Sequence, residues 1–410
     1  MRPRPRRPAF LFVPAFALFL ALLAFFAPAG FARGGTKTAR AGASVYVTNE
    51  FDNTVSQYTI DPVSGALSPR SPATVPTGAV PVSVAVTPDG KSAFVTNLRG
   101  GSISRYTIDP VSGALSLKSP ATVTTNGSPT SVAVTPNSKS AYVPAATAFF
   151  GRDSIFQYTV DSLSATLSPK SPATVAGDAG QIVVTPDGKS AYVAFETDID
   201  EYTIDPVSGT LAPKTPASLR TANLISGIAV TPDGKSAYTT NADNTVGQYT
   251  IDPVSGELSP KTPPTVPAGG QPFGVAVTPN GKSAYVTNES DGTISQYTID
   301  PVTGALSPKM PATVVSSAHP RRIAVSADGR SAYVTNSDNT VSQYTIDSAS
   351  GALSPKSPAT VAAGNSPLGI AVSPASRAPT DKGQCKRGGW RQFGFKNQGQ
   401  CVASVGHHRR

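Results

Sequence analysis

Residues 331–355 read SAYVTNSDNTVSQYTIDSASGALSP. SAYVTN mixes aromatic and β-branched residues with small ones, as a covered strand does, and Ser337-Asp338-Asn339 supplies a polar turn. TVSQYTID (Thr340 to Asp347) then alternates apolar and polar side chains with the period of a strand. A turn of the type Asp-Pro-Val-Ser-Gly, here Asp347 to Gly351 and in its full form Asp252 to Gly256, leads into a proline-containing strand such as LSPKTPPTV (Leu258 to Val266). Proline cannot donate to a ladder, so that strand belongs at a sheet edge. The missing fourth strand is SVAVTP (Ser83 to Pro88), apolar nearly throughout as for burial on both faces, followed by the turn Pro88-Asp89-Gly90.

This unit recurs. Tyr-Thr-Ile/Val-Asp ends at Asp61, Asp109, Asp161, Asp205, Asp252, Asp300 and Asp347, at spacings of 44 to 52 residues. The Ala-Val-Thr-Pro-Asp-Gly element also appears seven times, degraded in its last copy from Ala371 to Ser376. Seven four-stranded antiparallel units, each with an edge-compatible outer strand, predict an all-β, seven-bladed β-propeller. The phase of the repeat agrees: the body begins on a second strand, SVYVTN (Ser44 to Asn49), and ends on a lone first strand, LGIAVSP (Leu368 to Pro374). One blade is therefore expected to be shared between the two ends of the repeat region, closing the ring.

YVTN at Tyr46 to Asn49, Tyr285 to Asn288 and Tyr333 to Asn336, joined to VSQYTIDPVSGALSP, resembles the YVTN-repeat and lactonase-family propellers, relatives of bacterial 6-phosphogluconolactonases and fungal muconate-lactonizing enzymes. The resemblance covers residues 44–374 and implies the propeller fold. It also implies lactone-opening chemistry with His, Arg and Glu around the channel mouth. The shared residues are those of strands and turns, so no catalytic position is carried over. A tryptophan-marked propeller of the WD type is disfavoured, because the single tryptophan, Trp390, lies outside the repeats.

The formal net charge of +9 resides in the ends. Residues 1–43 carry seven Lys/Arg and no acid, residues 376–410 carry eight against Asp381, and the body is left with 19 basic and 24 acidic groups. That body is no electrostatic funnel for phosphate backbones, and no nucleic-acid partner is expected. Arg2, Arg4, Arg6 and Arg7, an apolar run from Ala9 to Ala27, and then small residues have the order of a secretory signal. The run also approaches the ~20 residues that span a bilayer, so an uncleaved anchor is the rival reading and the only membrane attachment the sequence suggests. Either one places the body outside the cytoplasm, secreted or at the cell surface. There Cys385 and Cys401, the only cysteines, read as a disulfide in a basic tail, residues 375–410, that also holds Trp390, Phe393 and Phe395.

Repetition separates scaffold from candidate site. All 13 tyrosines fall in the repeats, and the seven Asp of the turns recur with them, which assigns both to packing and capping. Strand order puts the monotonous PDGKS and DPVSG turns at one end. The other end collects the variable loops, residues 76–82, 124–130, 176–181, 220–226, 267–272, 315–322 and 362–367, and a site is expected there. Departures from the repeat at this mouth bring Phe149, Phe150, Arg152, Asp178, Phe195, Glu196 and Arg220 to one sector, and His319, Arg321 and Arg322 across the ring. Arg152, Glu196, Arg220, His319, Arg321 and Arg322 are the candidate ligand-binding residues, since guanidinium forks suit carboxylate or phosphate. In an enzymatic reading Glu196 or His319 is the general base, and Arg321 or Arg220 steadies the oxyanion. His319 is the only histidine outside the tail, so a three-histidine metal site is excluded from the body, and neither metal nor cofactor is expected.

The near-identical blades and the lack of a His-rich site point first to a binding or interaction module for a small anionic or sugar-like ligand, or for a surface protein or glycan. The alternative is a lactonase-type hydrolase working at the variable mouth. A monomer is expected in either case.

Overall fold

The computed structural model describes residues 43–147, 153–375, 382–383, 385–386 and 397–407. The reading of residues 1–43 as a signal or anchor with its linker falls, except for Ala43, outside the described residues, as do Trp390, Phe393 and Phe395.

Seven antiparallel sheets form the blades of a propeller. Blade 1 joins both ends of the repeat region: Pro367–Val372 is its inner strand, pairing with Ser44–Asn49, which is followed by Thr54–Ile60 and Leu67–Pro76. Blades 2 to 7 start with inner strands at Pro81, Ser128, Gln181, Ile225, Pro272 and Pro320, and each proceeds outward in chain order. In all seven, the ladder between third and fourth strand slips once beside a proline, for example between Ser342 and Tyr344 opposite Pro355. Blade 3 departs from the expected pattern. Its inner strand is broken into Ser128–Pro129 and Ala133–Val134. In blades 1, 6 and 7 the neighbouring strand carries a threonine whose Oγ1 accepts the inner strand's N–H, as Thr287 does from Gly274 at 2.8 Å; blade 3 has Pro144 there, with neither hydroxyl nor N–H.

The core is distributed over the seams between blades. Tyr285 and Ile294 of blade 6 pack with Ile323, Val334 and Tyr344 of blade 7, and equivalent clusters repeat around the ring. Three polar contacts stitch the regular seams. The SAYV tyrosine donates to a glycine carbonyl in the next blade's last turn, Tyr285 to Gly351 at 2.7 Å and Tyr333 to Gly65 at 2.7 Å. The QYT glutamine accepts from a leucine N–H in the next blade's outer strand, as Gln296 does from Leu353 at 2.7 Å. The outer-strand lysine reaches a carbonyl of the same turn, Lys309 to Ser350 at 2.6 Å. Each such bond contributes about 1 kcal/mol net. The Asp of the turn caps its own loop, as Asp252 does by accepting from Val254 and Ser255 N–H, which fits the turn-capping role expected for all seven.

The tail contains the helix α1 (Gln398–His407), and Cys401 on it is bonded to Cys385, with Cα atoms 5.6 Å apart. No helix among the described residues is long and apolar enough to cross a membrane.

Candidate active site

An open cavity of about 350 Å3 is lined mainly by the first residues of the inner strands, on the side of the variable loops. The ladder registers place Ser83, Gln181, Gly227, Gly274, Arg322 and Gly369 at equivalent positions of six inner strands, each one residue before the paired Val or Ile, and the sequence puts Ser131, in the break of blade 3's inner strand, at the seventh. Five of these are glycine or serine, which keeps the ring's centre open. Glycine is also required by the close approach of neighbouring strands: a Cβ on Gly274 would stand 2.5 Å from the Arg321 carbonyl oxygen.

The two exceptions meet. Arg322 of blade 7 extends across the cavity, donating from Nη1 to Gln181 Oε1 of blade 4 at 2.8 Å and to the Ser226 carbonyl of blade 5 at 3.2 Å. Its guanidinium also lies over the Phe273 ring of blade 6, 4.5 Å from the centroid. Among the described residues no carboxylate pairs with it. The residue is partly buried, and desolvation draws its pKa down to about 10. It is a desolvated positive charge aimed into a cavity.

Arg321, one residue earlier, is compensated. Its Nη1 lies 2.8 Å from Glu50 Oε2 of blade 1 and its Nε 3.7 Å from Glu289 Oε1 of blade 6, so it bridges three blades. His319 is exposed, in the left-handed region at φ 48°, with Nδ1 3.2 Å from the Glu289 carbonyl. Glu196 and Arg220 are exposed on blade 4, three blades from Arg321 around the ring. Arg152 lies outside the described residues. The structure thus brings His319, Arg321 and Arg322 together with Glu50, Glu289 and Gln181, and leaves Glu196 and Arg220 apart from them.

Between blades 3 and 4 the mouth is acidic. The Asp178 N–H donates to Asp200 Oδ2 at 3.0 Å, and Tyr202 Oη donates to the same oxygen at 3.3 Å. Burial, reinforced by Asp200, Asp153, Asp198 and Glu196, pushes the Asp178 carboxyl up to about 6. Burial likewise raises Asp200. Asp178 heads the loop that supplies Ala179, Gly180 and Gln181 to the cavity wall. Among the described residues no group of three His, Cys, Asp or Glu is placed to hold a metal ion. The YVTN asparagines are structural: Asn49 Nδ2 donates to Thr54 and Ser56 hydroxyls, both at 2.9 Å.

The chain matches the profile of the family described as lactonase, 7-bladed beta-propeller, over residues 32–134, 124–318 and 274–368. It belongs to the lactonase propeller family. Among solved structures, this lactonase-family chain is similar to the periplasmic gluconolactonase of Pseudomonas aeruginosa, with 21% identity, TM-score 0.65, and 81% of this chain and 99% of that one covered. It is also similar to a candidate 6-phosphogluconolactonase of Bacteroides fragilis, with 19% identity, TM-score 0.65, and 81% and 98% covered. A protein of Desulfotomaculum acetoxidans described as functionally unknown aligns equally widely, with 17% identity, TM-score 0.64, and 81% and 99% covered. At these identities the likeness is one of fold. No curated protein matches this lactonase-family sequence.

Proposed function

We propose that this protein is a lactone-opening hydrolase and that its reaction takes place in the central cavity at the variable end. The family match and the gluconolactonase-like neighbours support this reading better than a pure binding module. The observation that carries it is Arg322, a guanidinium without a counter-charge inside an otherwise neutral cavity.

In lactone hydrolysis water adds to the ring carbonyl, the carbonyl oxygen gains negative charge, and the ring C–O bond breaks to give an alkoxide that takes up the proton lost by water. Arg322 is suited to receive the developing oxyanion and then the product carboxylate, because a fixed cation in a poorly solvated site needs no reorganisation as charge appears. Asp178, at the mouth and next to the Ala179, Gly180 and Gln181 that line the cavity, is our preferred general base over the exposed Glu196 and His319, because a carboxyl raised to about 6 by burial is basic enough to take a proton from water. An extracytoplasmic location belongs to the same reading, supported by the signal-like order of residues 1–43 and by the Cys385–Cys401 bond.

Purified protein should open δ-lactones such as glucono-1,5-lactone above the spontaneous rate. Arg322→Met is expected to lower kcat/KM by ~10²–10³-fold, the usual cost of removing one oxyanion donor. Asp178→Asn is expected to remove the acid limb near pH 6. A folded protein without turnover on sugar or acyl lactones would end the proposal.

A further inference from the structure

The cavity's charge is a quantity in its own right. Arg322 is the sole cationic side chain lining it, set among Ser83, Ser131, Ser226, Gln181 and backbone. The next cation, Arg321, already faces Glu50 and Glu289. The loops and strand ends that form the mouth carry eleven carboxylates among the described residues, at 50, 52, 153, 178, 196, 198, 200, 243, 289, 291 and 338, against four arginines, at 99, 220, 321 and 322. A ligand approaching from this end crosses a negative rim and meets one positive charge at the bottom. The volume, about 350 Å3, is at the small end of ligand sites, which run from about 300 to 1,000 Å3.

We infer that the cavity selects unphosphorylated lactones and their monocarboxylate products and rejects the phosphorylated counterparts. One guanidinium balances one carboxylate. A phosphate monoester adds a charge of about −1.5 to −2 at neutral pH, which would enter a poorly solvated space with no cation left to meet it. The rim opposes the same group at longer range, within the ~8–10 Å over which charges act at ordinary ionic strength. A neutral lactone suffers neither penalty and acquires its single negative charge only on reaction, beside Arg322. The inference rests on the hydrolase reading for the nature of the substrate, while the charge selection rests on the cavity itself.

Calorimetric titration of the wild-type protein with gluconate, 6-phosphogluconate and inorganic phosphate tests it apart from catalysis. Gluconate should bind at least tenfold more tightly than the other two, and Arg322→Gln should weaken gluconate binding by tenfold or more. Raising the salt from 50 to 500 mM should narrow the gap, since screening relieves the rim. Asp291→Asn/Asp338→Asn, at exposed rim positions, should narrow it as well without touching the cavity, which keeps the test valid if the arginine variant folds poorly. Equal or tighter binding of 6-phosphogluconate would overturn the inference. So would equal or greater kcat/KM for the phosphorylated lactone, a result that leaves the hydrolase reading standing. Selective gluconate binding without turnover of either lactone would instead overturn the hydrolase reading and support the selection.

Discussion

The seam between blades 6 and 7 and the seam between blades 2 and 3 solve the same packing problem with different chemistry. At the first, Tyr285 donates to Gly351, Gln296 accepts from Leu353, and Lys309 reaches Ser350. At the second, Phe94 stands where Tyr285 does, Arg105 where Gln296 does, and Ala165 where Gly351 does. Phe94 has no hydroxyl and needs no carbonyl; it packs on the Ala165 methyl in one apolar cluster. Arg105 keeps half of the glutamine's role by donating to the Pro120 carbonyl at 2.5 Å, but a guanidinium cannot accept from a leucine N–H, and its Nε is buried with no partner. A blade seam therefore needs apolar fill, and its tyrosine–glycine contact is exchangeable with phenylalanine–alanine only as a set.

The largest effect should come from breaking that set. At Gly351 the backbone is left-handed, φ 68°, and a Cβ would stand 2.1 Å from Ser283 Oγ. Gly351→Ala alone should cost about 3 kcal/mol in urea unfolding, combining left-handed strain with the clash. The reverse change, Ala165→Gly, should stay within about 1 kcal/mol, because relief of strain at φ 53° offsets the lost methyl packing. If Gly351→Ala proves equally mild, the two seams are interchangeable residue by residue and the comparison fails.

A gain of about 1–2 kcal/mol is expected from Arg105→Gln. It restores an acceptor for the Leu167 N–H, keeps a donor for the Pro120 carbonyl, and removes a half-satisfied guanidinium that burial already disfavours in its charged form. Unchanged or lower stability would mean that the arginine has contacts in solution which compensate its unpaired nitrogen.

What could be read from the sequence follows the same division between repeated and unrepeated residues. Blade number, strand order, the closing role of residues 44–49 and 367–372, and the capping by Asp252 and its equivalents all follow from patterns that recur, and each is found. Arg322 was legible as a candidate because it ends the variable stretch 315–322, although the structure places it inside the inner strand Pro320–Val325 rather than in a loop. Its partner Gln181 was not, since the two are 141 positions apart and share only a register level on opposite sides of the ring. The signal was present: aligning inner strands gives Gly or Ser five times at that level, then Gln and Arg. Glu50 and Glu289 escaped for another reason. Each follows a YVTN asparagine and looks like a solvated turn residue until ring closure sets blades 1 and 6 on either side of Arg321. Glu196 and Arg220 stood out as departures from the repeat, yet departure marks exposed loop positions as readily as inward-facing ones.

The smallest effect tests whether the seam between blades 4 and 5 is a third solution or a titrating copy of the regular one. Glu201 occupies the glutamine position and accepts from the Leu258 N–H at 3.1 Å. Elsewhere the glutamine also donates to a proline carbonyl of its own blade, as Gln343 does to Pro358 at 2.9 Å, and only a protonated Glu201 could do the same for Pro216. Burial pushes its carboxyl up to about 7 from the usual 4.5, Glu257 adds to the rise, and Lys214 and the Leu258 N–H pull against it. An acid whose pKa is raised on folding holds its proton longer in the native state. Stability should therefore be full below about 4.5, fall as the pH climbs to about 7, and level off above. Glu201→Gln fixes the neutral form, so it should change nothing at low pH and add about 1 kcal/mol at pH 8, the net worth of one hydrogen bond. Urea unfolding at pH 4 and pH 8 reads the difference; a gain of equal size at both would show that the carboxylate is ionised throughout and that seam 4–5 works without a proton.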